Sequence, residues 1–194
     1  MTSSDAPEKT SNRRRGFFPD LPDWLAQLLY WPTFLWNYLL GRILHVRHWW
    51  DQVDDGLWLG AVPLRDDAKR FKELGISGVV NMCDEYAGPV KEYQQEDIEQ
   101  LYLPTVDFHP PTLEMIERGV EFIHRHVTQG GSVYVHCKAG RARSATVVLC
   151  YLVAYKNMTP QAAQQHLLEK RPHINPLIYE RAVVKDFVAK LQKA

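Results

Sequence analysis

Cysteine is scarce: only Cys83, Cys137 and Cys150 occur in 194 residues. Three so scattered thiols cannot make a disulfide framework, and no pair has the spacing of a zinc site. The chain therefore reads as a protein of a reducing compartment, with no metal and no cofactor. Neither sign of charge is in excess, with 23 Lys+Arg against 23 Asp+Glu, so nothing global points to nucleic acid. There is no internal repeat. No Gly-Lys-Ser/Thr closes a loop, which excludes the nucleotide-binding P-loop. No apolar stretch and small-residue cleavage site follow the basic N-terminus at the distance a secretory signal needs.

What is present is ordinary globular composition, 45% apolar and 24% charged. The length suits one domain of roughly 140–150 residues plus an extension. Residues 1–20 read as a disordered polar and basic tail with Arg13-Arg14-Arg15. Asp5, Glu8 and Asp20 weigh against a mitochondrial transit peptide, which should be poor in acids. Residues 21–48 form a second segment. Its stretch "WLAQLLYWPTFLWNYLL" (24–40) carries no charge. As a helix it would span about 25 Å, short of a bilayer core of about 30 Å. Its Trp and Tyr side chains suit a membrane interface, and Arg42 and Arg47 behind it suit anionic headgroups. Three readings follow: a membrane-surface helix, a helix packed on the domain, and a true span. A polar stripe passes through Asp23, Gln27, Tyr30, Thr33 or Phe34, and Asn37.

Residues 49–194 read as the catalytic domain. "VDDGLWLGAVP" gives two short strands around Asp55-Gly56. Residues 65–74 give a helix ending before Gly75. Residues 76–82, 98–104 and 132–136 are β-branched or apolar runs, hence buried strands. Met115/Ile116, Val120, Ile123 and Val127 recur at helical spacing. Ser144–Lys156 is helical, Thr159 caps a helix with Pro160 at its first position, and residues 177–192 form the last helix. Strands alternating with helices predict an α/β fold, a central mostly parallel sheet flanked by helices with an N-terminal apolar helical extension.

The chemistry lies in "VYVHCKAGRARSATVV" (133–148). Cys137 follows a strand, at the end where α/β sheets bind ligands. Ala139, Gly140 and Ala142 are small enough for backbone to approach an anion, and the next helix presents its N-terminus. Arg143 can grip two oxygens of a tetrahedral oxyanion. The same field favours a thiolate at Cys137. An anion cradle around a nucleophilic sulfur is what phosphoryl transfer through a covalent intermediate requires. A redox cysteine would want a partner thiol nearby, and none is present. Cys83 and Cys150 read as packing residues. Lys138 and Arg141 read either as attraction for a doubly charged headgroup or as a solvated positive rim.

His136-Cys137-Lys138-Ala139-Gly140-Arg141-Ala142-Arg143-Ser144 resembles the His-Cys-x5-Arg-Ser signature of the cysteine-dependent protein tyrosine and dual-specificity phosphatases. The resemblance implies a dual-specificity phosphatase fold in which Cys137 attacks phosphorus. Arg143, with Lys138, Ala139, Gly140, Arg141 and Ala142, then holds the phosphate, and Ser144 stabilises the leaving thiolate. His136 helps set the loop's hydrogen bonds. Asp107, in "TVDFHPPT", stands at the family's offset upstream of the cysteine and is implied as the general acid. His109, Asp84 and Glu85 are its rivals.

Over residues 30–190 the blocks "YWPTFLWNYLLGR", "HWWDQVDDGLWLGAVPLR", "GISGVVNMCDEY", "LYLPTVD" and "YKNMTPQAAQQHLLEKRPHI" resemble phosphatidylglycerophosphate phosphatases of the mitochondrial dual-specificity type. That family's acidic-Glu-Tyr-Glu loop is matched by Asp84, Glu85 and Tyr86, so Glu85 and Tyr86 are implied at the substrate. The fourth position is Ala87, a departure in substrate choice and not in catalysis. The implied substrate is phosphatidylglycerophosphate at a membrane surface, mitochondrial inner or bacterial. The alternatives are a cytoplasmic protein tyrosine or dual-specificity phosphatase, a phosphoinositide phosphatase, and a non-catalytic phosphate-binding adaptor. The expected partner is an anionic phospholipid or else a phosphoprotein, not nucleic acid, and the expected state is a monomer.

Overall fold

The computed structural model describes residues 22–193, and the basic tail lies outside them. In chain order the elements are α1 (Asp23–Tyr38), running into a π-helical turn (Leu39–Ile43), β1 (Trp50–Asp54), β2 (Leu57–Gly60), α2 (Asp67–Glu73), β3 (Ile76–Cys83), α3 (Val90–Gln95) and β4 (Glu99–Thr105). There follow α4 (Leu113–Thr128), β5 (Ser132–His136), α5 (Arg143–Tyr155), α6 (Pro160–Lys170), a 3-10 turn (Ile178–Glu180) and α7 (Ala182–Leu191).

Five strands form one sheet in the order β1-β2-β5-β3-β4. The β1–β2 hairpin is antiparallel, and the other three ladders are parallel. The pleat of β5 sends Val133 and Val135 to one face and Tyr134 to the other. On the first face they meet Val147 and Leu149 of α5, Ile123 of α4 and Leu167 of α6 in the main core. On the second, Tyr134 meets Phe71 of α2 and Tyr93 of α3. The catalytic stretch thus leaves the central strand and enters α5, a helix buried along most of its length. Thr159 caps α6, its side chain accepting from Ala162 N, with Pro160 at the first position.

Three elements differ from the sequence reading. The strand expected to be buried at 98–104 is β4, which lies at the sheet edge and buries only Leu103 and Thr105. Val90–Gln95 is helical, although "VKEYQQ" buries only Tyr93; one apolar anchor in six residues is too little for a period. Residues 177–192 are not one helix. Arg181 takes an extended backbone (ψ 137) between the 3-10 turn and α7, and its Nη1 reaches inward to Thr146 Oγ1 at 2.8 Å.

The apolar segment packs on the domain along one face and leaves another face exposed. Tyr30 of α1 is buried, and Phe34 packs against the main core. Thr33 and Asn37 are half-buried beside them, so much of the polar stripe faces inward. Trp24, Leu28, Trp31 and Leu35 recur at helical spacing on the other side and are 64–66% exposed. Among the described residues no helix is long and apolar enough to cross a membrane.

Candidate active site

The loop from Cys137 to Ala142 connects β5 to α5. Gly140 is left-handed (φ +65), and a Cβ there would collide with the backbone of Gly60 at the end of β2. Only glycine meets both demands. The loop's outer side is tied down by Arg171, which follows α6 and is almost wholly buried. Its guanidinium donates to Gly140 O (3.0 Å) and Ala139 O (3.1 Å), and it pairs with Asp51 at 2.5 Å. Turning those carbonyls outward leaves the loop's N–H groups free to face an anion. Sequence reasoning missed Arg171. A lone arginine at a helix end looks like a surface cation, and nothing local shows that its partners lie so far away in the chain.

Cys137 is buried, and the Ser144 hydroxyl donates to its Sγ at 3.2 Å. Burial pushes the thiol up. The charge of Arg143, the Ser144 hydroxyl and the N–H groups of Ser144 and Arg141 pull harder, and the result is about 7. Cys83 and Cys150 lack such an array: burial drives Cys83 well up, outweighing Arg143, and takes Cys150 to about 12. Both are fully buried packing thiols. His136 is also fully buried, stacked on Tyr134. Burial holds it neutral, at about 3, and neither ring nitrogen makes a hydrogen bond to the described residues, so the expected part of His136 in the loop's hydrogen bonds is not seen.

Arg143 projects into the same space. Its Nη1 donates to Thr105 O (2.6 Å) and to Glu85 Oε2 (3.1 Å), and its Nη2 lies 2.9 Å from Asp107 Oδ1. Burial opposes its charge, but the sulfurs of Cys137 and Cys83 and the carboxylates of Asp107 and Glu85 more than offset that, leaving it firmly protonated. Glu85 holds the loop after β4 as well, because its Oε1 accepts from Asp107 N at 2.8 Å. One carboxylate thus spans Arg143 and the backbone of Asp107, which fits a positioning role better than proton donation.

Of the remaining expected residues, Asp84 is exposed, and its carbonyl accepts from the Tyr102 hydroxyl at 3.2 Å. Tyr86 is half-buried and donates to Pro63 O at 3.2 Å. The His109 ring meets the carbonyl of Asp107 at 3.1 Å. Ala142 O receives Thr146 N and Oγ1 in the first turn of α5. Arg141 lies on the rim, its Nε donating to His173 O at 2.7 Å. Lys138 does not. Its side chain is buried and its ammonium pairs with Asp107, so the solvated-rim reading fails for Lys138. Lysine after Cys137 looks like a rim cation in sequence because neither Asp107 nor α1 is near it along the chain.

The family model for the dual specificity phosphatase catalytic domain matches residues 57–185. The chain belongs to the dual specificity phosphatase family. It is a cysteine-dependent phosphatase of the PTPMT type. Phosphatidylglycerophosphate phosphatase PTPMT2 of Arabidopsis thaliana is 41% identical over 165 residues, which are 84% of this chain and 72% of that one. Phosphatidylglycerophosphatase and protein-tyrosine phosphatase 1 of Rattus norvegicus is 37% identical over 172 residues, 84% of this chain and 89% of the relative. A crystal structure of PTPMT1 in complex with PI(5)P superposes with a TM-score of 0.69 at 34% identity, covering 75% of this chain and 98% of that chain.

Proposed function

We propose that this phosphatase removes the phosphate monoester of an anionic phospholipid, phosphatidylglycerophosphate first, giving phosphatidylglycerol at a membrane surface. The Cys137 thiolate attacks phosphorus while Arg143 and the loop N–H groups hold the phosphoryl oxygens. The bond from phosphorus to the ester oxygen breaks, and that oxygen takes the proton of Asp107. Water then attacks the cysteinyl phosphate, passing a proton back to Asp107. The phosphorus–sulfur bond breaks, and the Ser144 hydroxyl hydrogen-bonds the departing thiolate.

The observation that carries the lipid reading is the apolar outer face of α1, set on the helix whose inner face meets the active site. Trp24, Leu28, Trp31 and Leu35 make a stripe with the amphipathic aromatics of a bilayer interface. Ile43, Leu44 and Val46 extend the exposed apolar surface. Charge supports the same reading. Arg141 on the loop rim feels Arg47, and His173 beside it is kept neutral at about 3 by burial and then by Arg171 and Arg47. Among the described residues neither Arg47 nor Arg141 is paired with a carboxylate. That corner suits the second, diester phosphate of a phospholipid headgroup. The relatives named phosphatidylglycerophosphate phosphatases support the assignment. The name of the rat relative also supports a phosphotyrosyl protein as second substrate.

Replacing the outer stripe while leaving the inner face intact, as Trp31→Ser with Leu35→Ser, separates docking from chemistry. Activity on phosphatidylglycerophosphate vesicles is expected to fall by about 10- to 100-fold, because the local substrate concentration is lost. Activity on a soluble aryl phosphate should stay within about 2-fold. Equal activity on vesicles before and after the change would remove the membrane role of α1.

A further inference from the structure

α1 also reaches the catalytic chemistry. Lys138, the residue after the nucleophile, is held by four groups, and two of them come from this helix. Its Nζ donates to Thr33 Oγ1 at 2.7 Å and to the carboxylate of Asp107. The Tyr30 ring lies 5.2 Å from the ammonium and the Phe108 ring 5.1 Å. Tyr30 is only 2% exposed. Its hydroxyl is pushed up, first by burial and then by the neighbouring Cys83 and Glu85, which keeps it neutral beside the site.

The orientation of the Thr33 hydroxyl is determined. A lysine ammonium only donates, so Thr33 Oγ1 must accept from it. The threonine proton then goes to the helix's own carbonyls, Leu29 O at 2.5 Å or Tyr30 O at 3.1 Å. One hydroxyl thus joins the backbone of α1 to Lys138, and Lys138 joins it to Asp107. A buried ammonium tolerates the loss of an acceptor poorly and moves to find another. The nearest group it can drag is the carboxylate it already holds.

We infer that Thr33 is a positioning residue for the phosphatase reaction: through Lys138 it sets where the proton donor Asp107 stands, making α1 part of the catalytic apparatus as well as a docking helix. The inference rests on Asp107 being the proton donor. It concerns the step in which that proton matters, the departure of a poor leaving group, and has little to do with attack on an ester whose oxygen leaves unaided.

Thr33→Val keeps the shape and removes both hydrogen bonds, whereas Thr33→Ser keeps both. Measured on the full chain, Thr33→Val should lower kcat on a phosphorylated alkyl alcohol by about 5- to 20-fold, the range expected for losing one charge-assisted hydrogen bond. On an aryl phosphate with a good leaving group it should stay within about 2-fold, and Thr33→Ser should behave as the parent protein. In an Asp107→Asn background the Thr33→Val loss on the alkyl ester should shrink to about 2-fold or less, because the two residues act on one step. Thr33→Ala should show the same split. Equal losses on both esters, with or without a lowered melting temperature, would overturn the inference by marking Thr33 as merely structural. An undiminished loss in the Asp107→Asn background would overturn it too. If Asp107→Asn alone shows no leaving-group dependence, the proton-donor assignment fails instead.

Discussion

Cys137→Ser abolishes turnover, lowering kcat by a factor on the order of 10⁴ or more on every ester, while inorganic phosphate still binds. The expectation follows from where the stabilising groups point. Arg143, the Ser144 hydroxyl and the N–H groups of Ser144 and Arg141 converge on the sulfur and bring it to about 7. At neutral pH a large share of the protein therefore holds a thiolate. A serine hydroxyl in the same place has no accessible anion, and burial, already the largest influence on the thiol, disfavours one further. The anion cradle is untouched, because it is built from loop N–H groups, Arg143 and the Arg171 tie. Phosphate binding followed by calorimetry checks that half of the expectation, and a sensitive aryl phosphate assay checks the other. Substantial residual turnover would move the nucleophile elsewhere.

Asp107→Asn has the next largest effect. Asparagine can occupy the same space near Arg143 and Lys138, yet it offers no carboxyl proton to the leaving oxygen. The loss in kcat should be about 10²–10⁴-fold with an alkyl phosphate and much smaller with an aryl phosphate, whose oxygen departs without help. The substitution also removes the charge that meets Lys138 and Arg143. Two cations then face the substrate with one fewer competitor, so KM should fall or hold. Steady-state kcat and KM on the two esters check both statements. An equal loss on both esters would place the acid at another group; Glu85 already bridges Arg143 and the backbone of Asp107.

Much of this was legible in nine residues. His136 to Ser144 combine the cysteine proposed as nucleophile, the small residues of a tight loop and the arginine, because a strand-to-helix turn is local in sequence. The inner strands were legible for a related reason: "ISGVVNM" is a largely apolar run, and all of it but Ser77 is buried, as a central parallel strand requires. Residues whose partners are distant in the chain were not. Nothing in the sequence singles out Arg171, and Lys138 reads there as headgroup attraction or a solvated rim; only folding shows that one fastens the loop from behind and the other joins α1 to Asp107. For α1 the sequence left a membrane-surface helix, a packed helix and a true span open, and the helix divides by face. Tyr30, Thr33 and Phe34 turn to the domain, and Trp24, Leu28, Trp31 and Leu35 turn away from it.

The most direct test of the central claim is the ratio of kcat/KM on phosphatidylglycerophosphate in vesicles to that on a phosphotyrosyl peptide, with Cys137→Ser as the blank. A large preference for the lipid is expected, since only the lipid offers a surface to the outer face of α1 and a second phosphate to Arg47 and Arg141. A preference for the peptide would leave the cysteinyl-phosphate chemistry in place and contradict the phospholipid assignment.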